Sequence, residues 1–104
     1  MILPGDIYYI PVPFKQDFFK SKPRPVVVLR DEGSGLFLVA PITGTNHTGY
    51  RNGIWILKDS IDGKKMELEK DSFIVVQDSF KYPSFGLMEY WGHCHLVEEL
   101  LSKL

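Results

Sequence analysis

Cysteine is nearly absent: Cys94 is the one thiol in 104 residues. No internal disulfide can form, which excludes the stapled scaffolds of small secreted domains and fits a reducing compartment. Long apolar runs are missing too. None approaches the ~20 residues that a membrane-crossing helix needs, so no membrane association is expected. Met1-Ile2-Leu3-Pro4 lacks the basic start and apolar stretch of a secretory leader, which again points to the cytoplasm. Charge of one sign is not in excess, since the formal net charge is -1. A strong nonspecific nucleic-acid binder is usually basic, so any such role must rest on a local patch. No repeat, low-complexity tract or linker divides the chain. One domain over residues 1–104, with a single modest core, is expected.

What is present is mostly strand. Asp6 to Val12 carries apolar groups on both faces, and Pro11 and Pro13 send its end to a sheet edge. A loop is expected from Phe14 to Pro23. Val26-Val27-Val28-Leu29 is an unbroken apolar run suited to the centre of a sheet. Asp31 to Gly35 offers two glycines for a turn, and Leu36 to Ile42 then returns antiparallel. Ile54 to Leu57 and Phe73 to Gln77 read as further strands, with a turn over Asp59 to Lys65 between them. Leu87 to His93 reads as another short strand, with Gly92 a bend or bulge. Leu96, Val97, Leu100, Leu101 and Leu104 recur at helical spacing, opposite Glu98, Glu99 and Lys103, and predict a C-terminal helix. The fold class expected is mainly β: a small barrel of five to seven strands covered by a terminal helix.

Two strand ends carry the chemistry. Ser21-Lys22-Pro23-Arg24-Pro25 opens one buried strand, and Pro41-Ile42-Thr43-Gly44 closes the next. If the strands pair through the turn between them, a guanidinium and a hydroxyl stand together, an arrangement suited to a phosphate ester. Arg24 can bind two phosphate oxygens in a fork and stays charged at physiological pH. Its structural alternative is an ion pair with Asp6 or another carboxylate. Thr43 can donate to a phosphate oxygen, or cap its own backbone instead. Gly44 permits close backbone approach and offers an amide. Lys15, Lys20, Lys22 and Arg24 form a local basic patch, interleaved with Phe14, Phe18 and Phe19. Cations for the backbone and aromatics for the bases are the usual equipment for single-stranded RNA. The alternatives are a solvated lysine loop and phenylalanines that plug a barrel mouth.

With Gly5-Asp6-Ile7-Tyr8 ahead of them and Leu68-Glu69-Lys70-Asp71-Ser72-Phe73-Ile74-Val75-Val76-Gln77 after them, these motifs resemble the MazF/PemK family of small bacterial toxins. The likeness runs from about Gly5 to Gln77. It implies an SH3-like barrel, a homodimer, and a metal-independent endoribonuclease cleaving single-stranded messenger RNA to 2′,3′-cyclic phosphate and 5′-hydroxyl ends. It also implies a cognate antitoxin occupying the RNA groove, and no cofactor. Arg24 and Thr43 match the family's catalytic pair, and Gln77 matches a glutamine near the RNA. In many members a Glu-Gln pair is followed closely by arginine. Here Val76-Gln77-Asp78-Ser79-Phe80-Lys81 lacks both the glutamate and the arginine. The rival readings are a barrel that binds nucleic acid or protein without cutting, and a gyrase poison like the related CcdB proteins.

His47, just beyond Thr43, is the nearest conventional acid–base candidate, because imidazole titrates near neutrality. His93 and His95 flank Cys94, but no second Cys/His pair completes a tetrahedral site, so no metal is expected and Cys94 reads as buried beside a helix start. Trp55, Tyr90 and Trp91 are candidates for a dimer interface or for the core.

Overall fold

Val26 to Leu29 is apolar without interruption because both of its faces are buried. A computed structural model of the chain describes residues 1–14 and 17–104, with only the backbone for positions 12 to 22. In it Val26 and Val28 pack with Tyr8, Ile10, Val39 and Leu87 on one side of the sheet. Val27 and Leu29 pack with Ile7, Ala40, Ile42, Ile74, Cys94 and Leu100 on the other. A one-sided strand would alternate apolar and polar; one between two apolar layers cannot.

Among the described residues the chain forms β1 (Asp6–Phe14), β2 (Asp17–Gly33), β3 (Leu36–Thr43), β4 (Gly53–Ile56), α1 (Ile61–Lys65), β5 (Ser72–Val75), β6 (Phe80–Pro83), β7 (Glu89–His93) and α2 (Val97–Leu101). The fold is mainly β, one sheet in the order β4-β5-β3-β2-β1-β7 with β6 also on β3, and every pairing is antiparallel. The β2–β3 turn is made where the sequence predicts it, at Gly33 and Gly35, both with positive φ.

β3 is where the sheet changes direction. Leu36 to Val39 pair with β6, whereas Ile42 and Thr43 pair with β5. The recorded β2–β3 ladder ends at Val26↔Pro41. Beyond it the two strands part, leaving Pro23–Pro25 on one side of a gap and Ile42–Gly44 on the other.

Several expectations change. Of the loop predicted over Phe14 to Pro23, positions 15 and 16 lie outside the described residues, and the rest is instead the end of β1 and the start of β2, in register Val12↔Lys22 and Pro13↔Ser21. The β7 partner of β1 stops at Tyr9, so Pro11 and Pro13 fall where β1 has β2 as its one recorded neighbour. Lysine-rich composition suggested solvated loop, but paired backbones satisfy each other whatever their side chains. The predicted turn at Asp59 to Lys65 contains a short helix. Ser60 caps it by accepting from the Gly63 amide at 3.0 Å, Asp62 lies in its first turn and Lys64 and Lys65 in its last, the arrangement the helix dipole favours. The strand predicted to reach Gln77 ends at Val75 and continues as a 3-10 turn over Val76–Asp78. The terminal helix spans Val97–Leu101 alone. It buries Leu100, and Leu104 is left exposed.

Candidate functional site

The gap between the parting strands is a cleft of about 280 Å3. Pro23, Arg24 and Pro25 form one wall, Ile42, Thr43 and Gly44 a second, and Glu67 to Lys70 a third, with Tyr9 and Trp91 at one end. Consecutive residues of a flat strand face opposite ways. Here three in a row from each strand line one space, because the space lies between diverging strands and not on a sheet face.

The structure thus brings Arg24, Thr43 and Gly44 together, as the strand-end reading expected. Arg24 is half-buried, opposite Ile10 of β1 in the ladder. Of the carboxylates expected as alternatives for Arg24, Asp6 bonds elsewhere. Asp6 accepts from the Leu3 amide at 2.9 Å and sits 3.0 Å from His93 Nδ1. Thr43 Oγ1 accepts from the Thr45 amide at 3.4 Å. That bond is long and uses only an acceptor lone pair, so the hydroxyl proton stays available to donate.

A second cation joins them. A β-carbon placed on Gly44 would meet Lys70 Nζ and Cε at 3.0 Å, so the lysine lies across the glycine. Among the described residues no carboxylate is within ion-pair distance of Lys70. Glu67 and Glu69 add exposed carboxylates to the same wall, and Glu67 has a positive φ of 57°, uncommon for a residue with a side chain. The cleft therefore holds anion-binding groups and proton acceptors together.

Other expected residues lie elsewhere. His47 is half-buried, its ring edge-on to Phe73 at 5.8 Å, and is not among the residues lining the cleft. Gln77 is likewise apart. Its Oε1 accepts from the Asn52 backbone amide at 3.0 Å, and its backbone N–H donates to the Asn52 carbonyl. Lys15 lies outside the described residues, as do the side chains of Phe14, Phe19, Lys20 and Lys22. Tyr90 and Trp91, candidates for core or interface, are both exposed, and Trp55 is half-buried.

Sequence reasoning missed Lys70, Glu67, Glu69, Tyr9 and Trp91. A signal existed for the first three: if β5 pairs with the end of β3, the segment just before β5 must run beside the segment just after β3. The observed register, Thr43↔Phe73, does this. Nothing local in the sequence places Trp91 there.

Among the described residues two groups have displaced acidities, both outside the cleft. Burial pushes the Cys94 thiol up, and the nearby carboxylates of Asp62 and Glu99 push it the same way, while a hydrogen bond with the Leu96 backbone opposes them. Burial also raises the Tyr8 phenol, helped by the charges of Asp6 and Tyr90. A protonated thiol is a poor nucleophile, so Cys94 behaves as a core residue.

No protein-family model matches the chain, and no curated protein matches it either. The functional reading therefore rests on the residues.

Proposed function

We propose that this chain is a MazF/PemK-like endoribonuclease, the toxin of a type II toxin–antitoxin pair, built on an SH3-like barrel. The observation that carries the reading is that Arg24 and Thr43, distant in sequence, line one cleft with Gly44 and Lys70.

The chemistry needs no external nucleophile. The 2′-hydroxyl of the substrate attacks the adjacent phosphorus, the bond to the 5′ oxygen breaks, and a 2′,3′-cyclic phosphate and a 5′-hydroxyl result. Charge builds on the phosphoryl oxygens in the transition state, and donors already aimed there stabilise it without reorganising. Arg24 supplies a permanent fork for those oxygens and Lys70 a point charge. Thr43 donates a hydrogen bond to a phosphoryl oxygen, and the Lys70 ammonium gives a proton to the 5′ oxygen as its bond to phosphorus breaks. A carboxylate of Glu67 or Glu69 takes the proton from the 2′-hydroxyl, and positioning of the strand supplies the rest. The homodimer and the antitoxin that blocks the groove belong to the same proposal.

One observation favours a rival. The side-chain oxygen of Gln77, part of the amide expected to read a base, already accepts from the Asn52 backbone amide, which suits a module that binds without cutting or reading sequence.

Incubation with mixed-sequence RNA in EDTA, beside Arg24→Ala and Thr43→Ala, tests the reading. Discrete cuts with 5′-hydroxyl ends, lost in both variants, are expected. Intact RNA from folded, antitoxin-free protein overturns the nuclease. Binding without cutting then favours the module, and growth arrest with damaged DNA favours the gyrase poison.

A further inference from the structure

Trp91 is the odd residue of β7. In the β1–β7 ladder Ile7 faces Gly92 and Tyr8 faces Tyr90, so Trp91 lies between two paired positions with no partner of its own. That is a β-bulge, the device by which a strand re-aims one side chain, and bulges are over-represented beside active sites. Here the indole reaches the cleft and stacks on Tyr9, ring centroids 4.8 Å apart and planes within 2° of parallel. Tyr9 is held in the sheet between Pro25 of β2 and Glu89 of β7. The tyrosine backs one face of the indole, yet Trp91 stays 44% exposed. A large aromatic ring bulged out of its ladder, supported from behind and left open to solvent gains little for the core.

We infer that Trp91, positioned by Tyr9, is a stacking platform for one nucleobase of single-stranded RNA whose phosphate lies at Arg24, Thr43 and Lys70. This rests on the proposed reading of the cleft and names how that site grips a base. Every nucleobase has a planar π-face that can extend the Tyr9–Trp91 stack, and such platforms work without regard to base identity. The cleft, about 280 Å3 between two diverging strands, has room for a phosphate and its neighbouring sugar. Stacking also compensates for Gln77, whose side-chain oxygen already accepts from the Asn52 backbone amide. The site grips the base through Trp91 without reading its edge.

The probe is a short RNA methylated at every 2′-oxygen, which cannot be cut, together with versions carrying one abasic position walked along the strand. In a Trp55→Phe chain, where Trp91 is the sole indole, RNA should change the tryptophan emission. In the otherwise native chain Trp91→Ala should weaken binding about ten-fold, with Trp91→Phe recovering most of it. One abasic position should cost the wild type a similar factor and cost Trp91→Ala nothing more. Equal affinity of Trp91→Ala and wild type, or an abasic penalty unchanged in Trp91→Ala, overturns the platform while leaving the cleft reading intact. A fall in dimer content of Trp91→Ala by light scattering, with unaltered RNA affinity, assigns the indole to a protein interface and also overturns it. Wild type that binds no RNA sinks platform and cleft together. Trp91-dependent binding with no cutting of unmodified RNA keeps the platform and removes the nuclease.

Discussion

Two regions of this molecule carry residues with chemical potential, and they use it in opposite ways. At one, Gly5, Asp6, His93 and Cys94 meet where β1 begins and β7 ends. Its recorded polar groups are tied into the structure: Asp6 to the Leu3 amide and to His93, the Cys94 amide to the Gly5 carbonyl at 2.7 Å, and the Gly5 amide to the Val28 carbonyl at 2.7 Å. At the other, between β2, β3 and the segment before β5, Thr43 makes one long bond, and Lys70 has no ion pair among the described residues. Trp91 leaves much of its ring in solvent. An acid, a histidine and a thiol look more like a catalytic set than an arginine, a threonine and a lysine do. The difference lies in what is already held. The first region is a seam joining distant parts of the chain; at the second, among the described residues, the Thr43 hydroxyl proton and the Lys70 ammonium are left for a ligand.

The largest expected effect is on the cleft. Arg24→Ala should lower RNA cleavage by roughly 10²–10³-fold, the usual loss when one preorganised transition-state donor is removed, as read by single-turnover cutting. Retained cleavage would mean that the cleft is not where the chemistry occurs. The seam should respond in stability instead. Gly5 has a φ of 97°, and a β-carbon there would stand 2.5 Å from the backbone carbonyl oxygen of Cys94, the residue whose amide donates to the Gly5 carbonyl. Gly5→Ala should cost about 2–4 kcal/mol in denaturant unfolding while leaving cleavage per folded molecule unchanged. Lost cleavage at full stability would erase the distinction between the two regions.

Asp6→Ala is expected to be milder, about 1–3 kcal/mol, because it strands the Leu3 amide and the His93 ring without forcing the backbone to move. Gly44→Ala makes the opposing case. Its β-carbon meets the far end of a lysine side chain, which can swing away. Stability should change by less than about 0.5 kcal/mol, while RNA binding weakens as Lys70 is displaced. Filter binding and thermal melting of the same sample separate the two. A glycine in the cleft that proves as costly to replace as Gly5 would make the cleft a second seam.

The legible and illegible parts of the sequence divide along the same line. The two-sided core was readable because Val26 to Leu29 has no polar residue to place outward. The Gly33–Gly35 turn was readable because only glycine is at ease with that backbone. Arg24 and Thr43 were readable as neighbours because one short turn joins their strands. What failed left no local apolar pattern to read. The ribbon of β1 and β2 past Tyr9 is held by backbone pairing that lysines and phenylalanines do not advertise. Lys70 and Trp91 reach the cleft through the β3–β5 register and a bulge in β7, and neither leaves a local pattern. His47 and Gln77 seemed placed by their nearness to strand ends, but a position just past a strand does not say which way the chain turns next.

The smallest effect concerns the thiol of the seam. Burial favours the protonated form of Cys94 in the folded protein, so its acidity is displaced upward from the ordinary thiol value of 9.0. Well below that pH both folded and unfolded chains keep the proton, and the contribution to stability is full. As pH rises past the unfolded value, the unfolded chain releases its proton while the folded chain holds on, so stability falls until the folded thiol also ionises. Tyr8, displaced upward from 10.0, extends the decline to higher pH. Stability followed by denaturant unfolding from about pH 8 to pH 10 should therefore fall in the wild type and fall less steeply in Cys94→Ala. Thiol reagents at neutral pH should label native protein only as fast as it opens. Parallel pH profiles, or rapid labelling of the native state, would show that Cys94 is not sealed within the seam, and the corner would then have reactive capacity of its own.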